Sequence, residues 1–323
     1  MHWLLVLFFT FSFSPSFASE LELIFYKAPR PLDWSTPGSL VRSTLKNSFA
    51  RIEGRKYPHP ISHVNVRLKC DEDEQHFVGM TSDKSTGSYL KDFLLKGISL
   101  DTFLINVKGQ FIEKEKALQW LPYLKQKGYV RTLKILLNPG QCLRAQRYLK
   151  IYKELGQEKI YGGLRSHPLR GEGAGCAAFA VSFLQVLNLF PEELNQAWRR
   201  KLNVPLELLS FQSHRASIGF IGYLRGKDRP WAYPSEEQIQ MQFWDPELMY
   251  NWVAKKTTKM TLKWDVRQYR ASEEPLFSHS RKTMETTVQY HLQNLGRRLS
   301  REEILNTSSR TCRLFRFCRS KAH

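Results

Sequence analysis

Beyond its first residues the chain has no apolar run of 18 residues, so no later segment reads as a membrane-spanning helix. Cysteine is scarce, five in 323 residues, which excludes a small disulfide-built scaffold. Cys-x-x-Cys and His-Glu-x-x-His are both missing, so no metal site is expected. The loop Gly171-Glu-Gly-Ala-Gly175 lacks the Lys-Ser/Thr ending of a phosphate-binding loop, and no nucleotide or other cofactor is expected. Internal repeats and long linkers are absent too. Acidic residues are outnumbered: 30 Asp and Glu face 49 Lys and Arg, a net charge of +19. Aromatics at 13% and apolar residues at 42% are too plentiful for a disordered chain and enough for a sizeable core. The charge suits an anionic partner without naming one.

Residues 1–18 have the form of a secretory signal peptide. The apolar run Trp3–Phe13 is too short to span a bilayer, Pro15 follows, and small residues surround a cleavage point after Ala18. The segment has no Lys or Arg before the apolar run, and an uncleaved anchor is the competing reading. Export to a periplasmic or extracellular compartment permits disulfides. Cys70, Cys142, Cys176, Cys312 and Cys318 all lie beyond the signal, and an odd count leaves one thiol over. Pairing Cys312 with Cys318 and Cys70 with Cys142 leaves Cys176 free, although sequence does not fix connectivity.

Alternation and turn chemistry predict strands at Leu21–Tyr26, Ile61–Leu68, Phe77–Thr81, Phe103–Val107, Val130–Leu137, Ser217–Leu224 and Gln238–Phe243. Ile61–Leu68 and Phe77–Thr81 form a hairpin around the acidic turn Asp71–Glu74. If it turns near Glu72–Asp73, His76 faces Leu68 and Thr81 faces His63; a tighter turn near Cys70 puts Gly79 or Val78 opposite His63 instead. Helical spacing covers Glu113–Lys127, Gln141–Leu155, Cys176–Asn188, Glu192–Lys201, Pro246–Lys255 and Lys282–Leu299. Ser39–Ser48 fits a helix or a strand with a turn. Cys176–Leu187 is apolar nearly all round, the mark of a buried helix. Arg297–His323 is an Arg-rich tail.

Cys176 is the leading candidate for chemistry. A helix N-terminus offers amide donors and partial positive charge, which stabilise a thiolate and the oxyanion of an acyl-transfer intermediate. Its glycine and alanine neighbours leave room for a substrate. The competing reading is core packing, since cysteine is among the most buried residue types. Cys142 also starts a helix, but an amphipathic, superficial one, which suits a disulfide or packing better than a nucleophile. A thiol nucleophile needs a base. His63, inside the Ile61–Leu68 strand, is the first candidate; His214 is the alternative; His167 sits in a loop before Pro168.

Pro37-Gly38-Ser39-Leu40-Val41, then Ile61-Ser62-His63-Val64-Asn65-Val66, then Gly175-Cys176-Ala-Ala-Phe-Ala resemble the circularly permuted papain-like hydrolases, relatives of the NlpC-type peptidases and of the lecithin:retinol acyltransferase group. In that family Pro-Gly-Asp-Leu-Val precedes a Ser-His-Val strand, and the catalytic cysteine comes later, at the start of the central helix. The resemblance spans about residues 37–190. It implies Cys176 as nucleophile and His63 as base. Ser39 stands where the family has Asp, and the family's third polar group is not identified on the strand after His63.

The expected protein is α+β: an antiparallel sheet packed on a buried nucleophile helix in a permuted papain-like core, with a C-terminal extension. Its parts are a signal peptide (1–18), a catalytic domain (19–200) and a basic α/β extension (201–323). The expected activity is exported thiol hydrolysis of an amide, such as a peptidoglycan stem peptide, or of an ester. The alternative is a non-catalytic protein that binds an envelope or anionic polymer. Expected partners are an anionic envelope polymer or lipid surface and a peptide or acyl substrate. Nucleic acid is not expected.

Overall fold

A computed structural model describes residues 19–52, 55–56, 59–70, 75–83, 105–162, 167–205, 230–256, 259–262, 276–277 and 279–297. The signal segment, Ser217–Leu224, His214, Cys312, Cys318 and the tail after 297 lie outside them. The fold is mixed α+β with mostly antiparallel sheets. No helix among the described residues is long and apolar enough to cross a membrane.

The central sheet is organised by β1 (Glu20–Tyr26). It pairs antiparallel with β4 (His63–Lys69) on one side and with β8 (Val130–Leu136) on the other. Strand β5 (Gln75–Val78) extends the sheet beside β4. Register decides the two faces. Leu21↔Leu68, Leu23↔Val66 and Phe25↔Val64 share one face, joined by Leu133 and Ile135 of β8. Glu22↔Arg67, Ile24↔Asn65 and Tyr26↔His63 share the other. Alternation along a strand forces this division.

The first face carries the main core. Helix α3 (Pro139–Glu154) packs there with Cys142, Ala145, Tyr148, Leu149 and Tyr152. Asn138 and Gln141 form a capping box that starts it, with Pro139 in its first turn. Helix α4 (Cys176–Val186) lies in the same layer and is buried nearly all round, as its composition predicts. Its one interior hydroxyl, Ser182, meets the Tyr148 hydroxyl at 2.6 Å and the Phe179 carbonyl at 2.6 Å. The opposite face holds a smaller core in which Ile24, Tyr26, Phe77 and Val130 meet Ala117, Leu121 and Leu124 of α2 (Lys114–Gln126).

Cys70 and Cys142 form a disulfide, Cα to Cα 5.6 Å, which ties the end of β4 to the start of α3. Cys176 is a free, buried thiol.

One open expectation is settled and three change. Pro37–Ser48 is a helix, α1, because Thr36 caps the Ser39 amide at 3.0 Å and Pro37 sits at its first position. The strand expected at Phe77–Thr81 is broken at Gly79 into β5 and β6 (Met80–Ser82). β6 leaves the central sheet for β7 (Val107–Phe111), which also pairs with β9 (Ile160–Tyr161). The strand expected at Phe103–Val107 begins only at Val107; residues 101–104 are outside the described set. The helix after Pro191, α5, stops at Trp198, and Arg199–Pro205 becomes β10, paired with β11 (Gln238–Trp244). The chain past residue 200 also completes the central fold. Helix α6 (Pro246–Lys256) and helix α7 (Arg281–Gln293) bring Met249, Tyr250, Val253, Met284 and Val288 into the main core. Strand β12 (Lys259–Leu262) adds a parallel edge beside β8.

Candidate active site

Cys176 is the first residue of α4, and Gly175 before it is extended. The glycine loop that delivers it is dictated by close packing. Gly173 has φ +72°, and a Cβ there would strike Ile160 of β9. The thiol is 5% exposed. Burial pushes it up to about 11, partly offset by hydrogen bonds from the backbones of Val64 and Ala177, the Tyr161 hydroxyl and its own backbone. A bond that lowers a thiol's pKa stabilises the thiolate, so Val64 and Ala177 act through their N–H groups.

The Val64 amide fixes where the sulfur lies. β5 pairs with β4 only from Val66 to Lys69. Beyond that, β4 has no strand partner on the β5 side among the described residues, and the Val64 N–H there is one of the groups that favour the Cys176 thiolate. The thiol therefore meets β4 at the residue directly after His63.

His63 is 5% exposed and heads β4. Its side chain projects to the α2 face with Tyr26 and Asn65, while Val64 belongs to the α4 face. His63 Nε2 lies 3.0 Å from Asn65 Oδ1, and Asn65 Nδ2 donates to the Tyr26 hydroxyl at 3.2 Å. An amide oxygen only accepts, so His63 Nε2 carries the proton and Nδ1 is left with a lone pair. No hydrogen bond to Nδ1 is present among the described residues. Burial holds His63 down to about 4, with the Asn65 bond acting weakly against it. The half-buried His59 stacks on it, centroids 4.4 Å apart and planes within 7°. Burial and the His63 ring keep His59 well below the usual histidine range.

No known protein family, curated protein or solved structure matches this chain. What the site can do therefore rests on its own residues.

The Cys176 thiol is favoured by the backbone of Val64, the residue after His63, but no hydrogen bond joins thiol and imidazole among the described residues. Both are neutral at pH 7. With burial holding Cys176 up near 11 and His63 down near 4, a complete proton transfer between them in the resting site is strongly uphill. Any base catalysis here must move the proton as the sulfur attacks.

The other histidines separate cleanly. His167 is buried in the loop before α4, and its Nδ1 accepts the Leu169 amide at 3.2 Å. That bond occupies it in holding the loop. His76 pairs opposite Leu68, the register expected for a turn near Glu72–Asp73. His214 lies outside the described residues. Cys142, the rival thiol, is consumed by the disulfide. Ser39 sits in the first turn of α1, where its hydroxyl accepts from Arg42 at 2.9 Å.

Asn65, Tyr26, Tyr161 and His59 were not singled out from sequence. Asn65 was legible: two residues after His63 on a strand puts it on the same face. The polar partner of His63 thus stands on its own strand, β4, and not on the strand after it. Between β5 and β6, Gly79 lies against Asn65, and its missing Cβ leaves the space that Asn65 Oδ1 occupies.

Proposed function

We propose that the protein is an exported thiol hydrolase that acts on an amide or ester carbonyl, with Cys176 as nucleophile and His63 as base. The observation that carries this reading is the His63–Asn65 bond. It leaves Nδ1 without a hydrogen bond among the described residues, on the residue next to Val64, whose backbone favours the Cys176 thiolate. Asn65 takes the orienting role, and Tyr26 holds Asn65. The amides at the start of α4 supply donors for a developing oxyanion. A base strand followed along the chain by the nucleophile helix is the permuted papain-like order, and we read the core that way. Export rests on the signal-like residues 1–18, and an amide of a cell-envelope peptide suits an exported basic protein.

Reaction of the full chain with an activated ester tests this directly. The expected result is a transient acyl group on Cys176, located by peptide mass spectrometry, and absent in Cys176→Ser. Turnover of the ester without any adduct on Cys176, or no reaction at all, contradicts it.

A second reading has its own observation. Both groups are almost fully buried and neutral, which is also how a core cysteine and a satisfied core histidine behave. On that reading the fold binds without catalysis, and His63→Ala leaves Cys176 chemistry unchanged.

A further inference from the structure

Helix α3 carries Arg144, Arg147, Lys150 and Lys153 against one carboxylate, Glu154. Its inner face is fixed in the core by Cys142, Ala145, Tyr148, Leu149 and Tyr152, so Arg147, Lys150 and Lys153 are turned outward and exposed. Arg144 is spoken for: its Nε donates to the Val186 carbonyl at 2.7 Å. The outward cations line an open groove of about 780 Å³, to which His76 of β5 and Arg281 of α7 also contribute.

Among the described residues the charge balance of this groove is one-sided. Glu154 is the only carboxylate of its described lining, and it already takes Arg281 at 3.3 Å and Lys150 at 4.0 Å. Arg147 has no ion-pair partner among the described residues, and Lys153 has only the Phe111 ring, 5.6 Å away. Leu143, 66% exposed, stands at the edge of the same groove. The walls are fastened together, since the Cys70–Cys142 disulfide ties the hairpin that carries His76 to the helix that carries the cations.

We propose that this groove docks a linear acidic polymer, a chain with anionic groups at regular intervals. From Arg147 to Lys153 the helix rises about 9 Å, so the exposed cations meet successive anionic groups rather than one. The surface is also concave, which suits a strand lying along it better than a flat bilayer. Binding is driven by release of the polymer's counterions and weakens steeply with salt, as for any polyelectrolyte. The groove is separate from Cys176 and His63, and its role does not depend on theirs.

The test is binding of inorganic polyphosphate of defined length to the full chain across a salt series, with orthophosphate and anionic phospholipid vesicles run beside it. The paired variants are Arg147→Glu/Lys150→Glu in the groove and Lys46→Glu/Lys114→Glu outside it, which change net charge equally. The groove double is expected to weaken polyphosphate binding about tenfold or more, and to flatten the log–log salt slope by about 1 for each phosphate that no longer meets a cation. The control double is expected to stay within about twofold. If the groove double loses its fold by circular dichroism, Arg147→Gln/Lys150→Gln takes its place with a smaller loss in the same direction. Equal weakening by both doubles, no binding at low salt, equal competition by orthophosphate, or binding to vesicles alone each overturns the proposal.

Discussion

His63 and Asn65 are joined side chain to side chain along one strand, Nε2 to Oδ1 at 3.0 Å, on the residues that flank the Val64 amide. That bond chooses the imidazole's tautomer and aims its free nitrogen. Asn65→Ala is therefore expected to slow acylation of Cys176 about tenfold or more through loss of an oriented base. Asn65→Asp keeps an acceptor and is expected to recover most of the rate, with His63 titrating higher beside a carboxylate. Rates for the three proteins across pH check this. A purely structural Asn65 changes stability in both variants and leaves the pH profile where it was.

Gly79 tests the same bond from the neighbouring strand. A Cβ at this position falls on Asn65 Oδ1. Gly79→Ala is expected to push the Asn65 side chain off His63, lowering Cys176 reactivity as Asn65→Ala does. Because the atom displaced is the end of a side chain, the cost in thermal stability is expected to be modest. Combining the two substitutions should add little to either, since both break one interaction.

Acid should unfold the protein through its buried histidines. Their folded pKa values, about 4 for His63 and about 3 for His167, lie below the unfolded value of 6.5, burial being the leading cause of both shifts. The unfolded chain then binds more protons, so this stability is full above pH 6.5 and is lost as pH falls toward the folded values. For His63 the loss amounts to about 3 kcal/mol by pH 4. Denaturant melts from pH 7 to pH 4 measure it, and His63→Gln should flatten the decline.

Reduction should destabilise the fold without touching the free thiol. The Cys70–Cys142 bond closes a loop with a sequence separation of 72, worth about 4 kcal/mol in chain entropy. Cys70→Ser/Cys142→Ser is expected to lose stability of that order in equilibrium unfolding, while acylation of the folded protein at Cys176 continues.

Much of the frame was legible in the chain. Leu21–Tyr26 and Ile61–Leu68 alternate or run apolar as strands do, Cys176–Leu187 reads as a buried helix, and the Cys70–Cys142 pairing agrees with one thiol left over. The misses have physical causes. Arg199–Pro205 lacks a strand's apolar alternation because only Val204 and Pro205 are buried in it, so the helical spacing before it carried over. β12 is a four-residue edge strand whose pairing with β8 is set by tertiary position, which no local pattern announces. Gly79 splits one apparent strand into two sheets because Asn65 needs its space. In the site, Cys176 and His63 were singled out by their places at a helix start and inside a strand and by the family resemblance, whereas Val64 and Tyr161 come to Cys176 only through folding.

The central claim is that His63 assists Cys176, and the most direct measurement is the rate of Cys176 alkylation against pH in the wild type and in His63→Ala. The account predicts a wild-type rate that persists below the alkaline titration of the thiol and falls away only as His63 protonates near pH 4. In His63→Ala that neutral-pH component should vanish, leaving a rate that climbs only toward pH 11. Superimposable profiles for the two proteins would contradict it and leave Cys176 as a core cysteine.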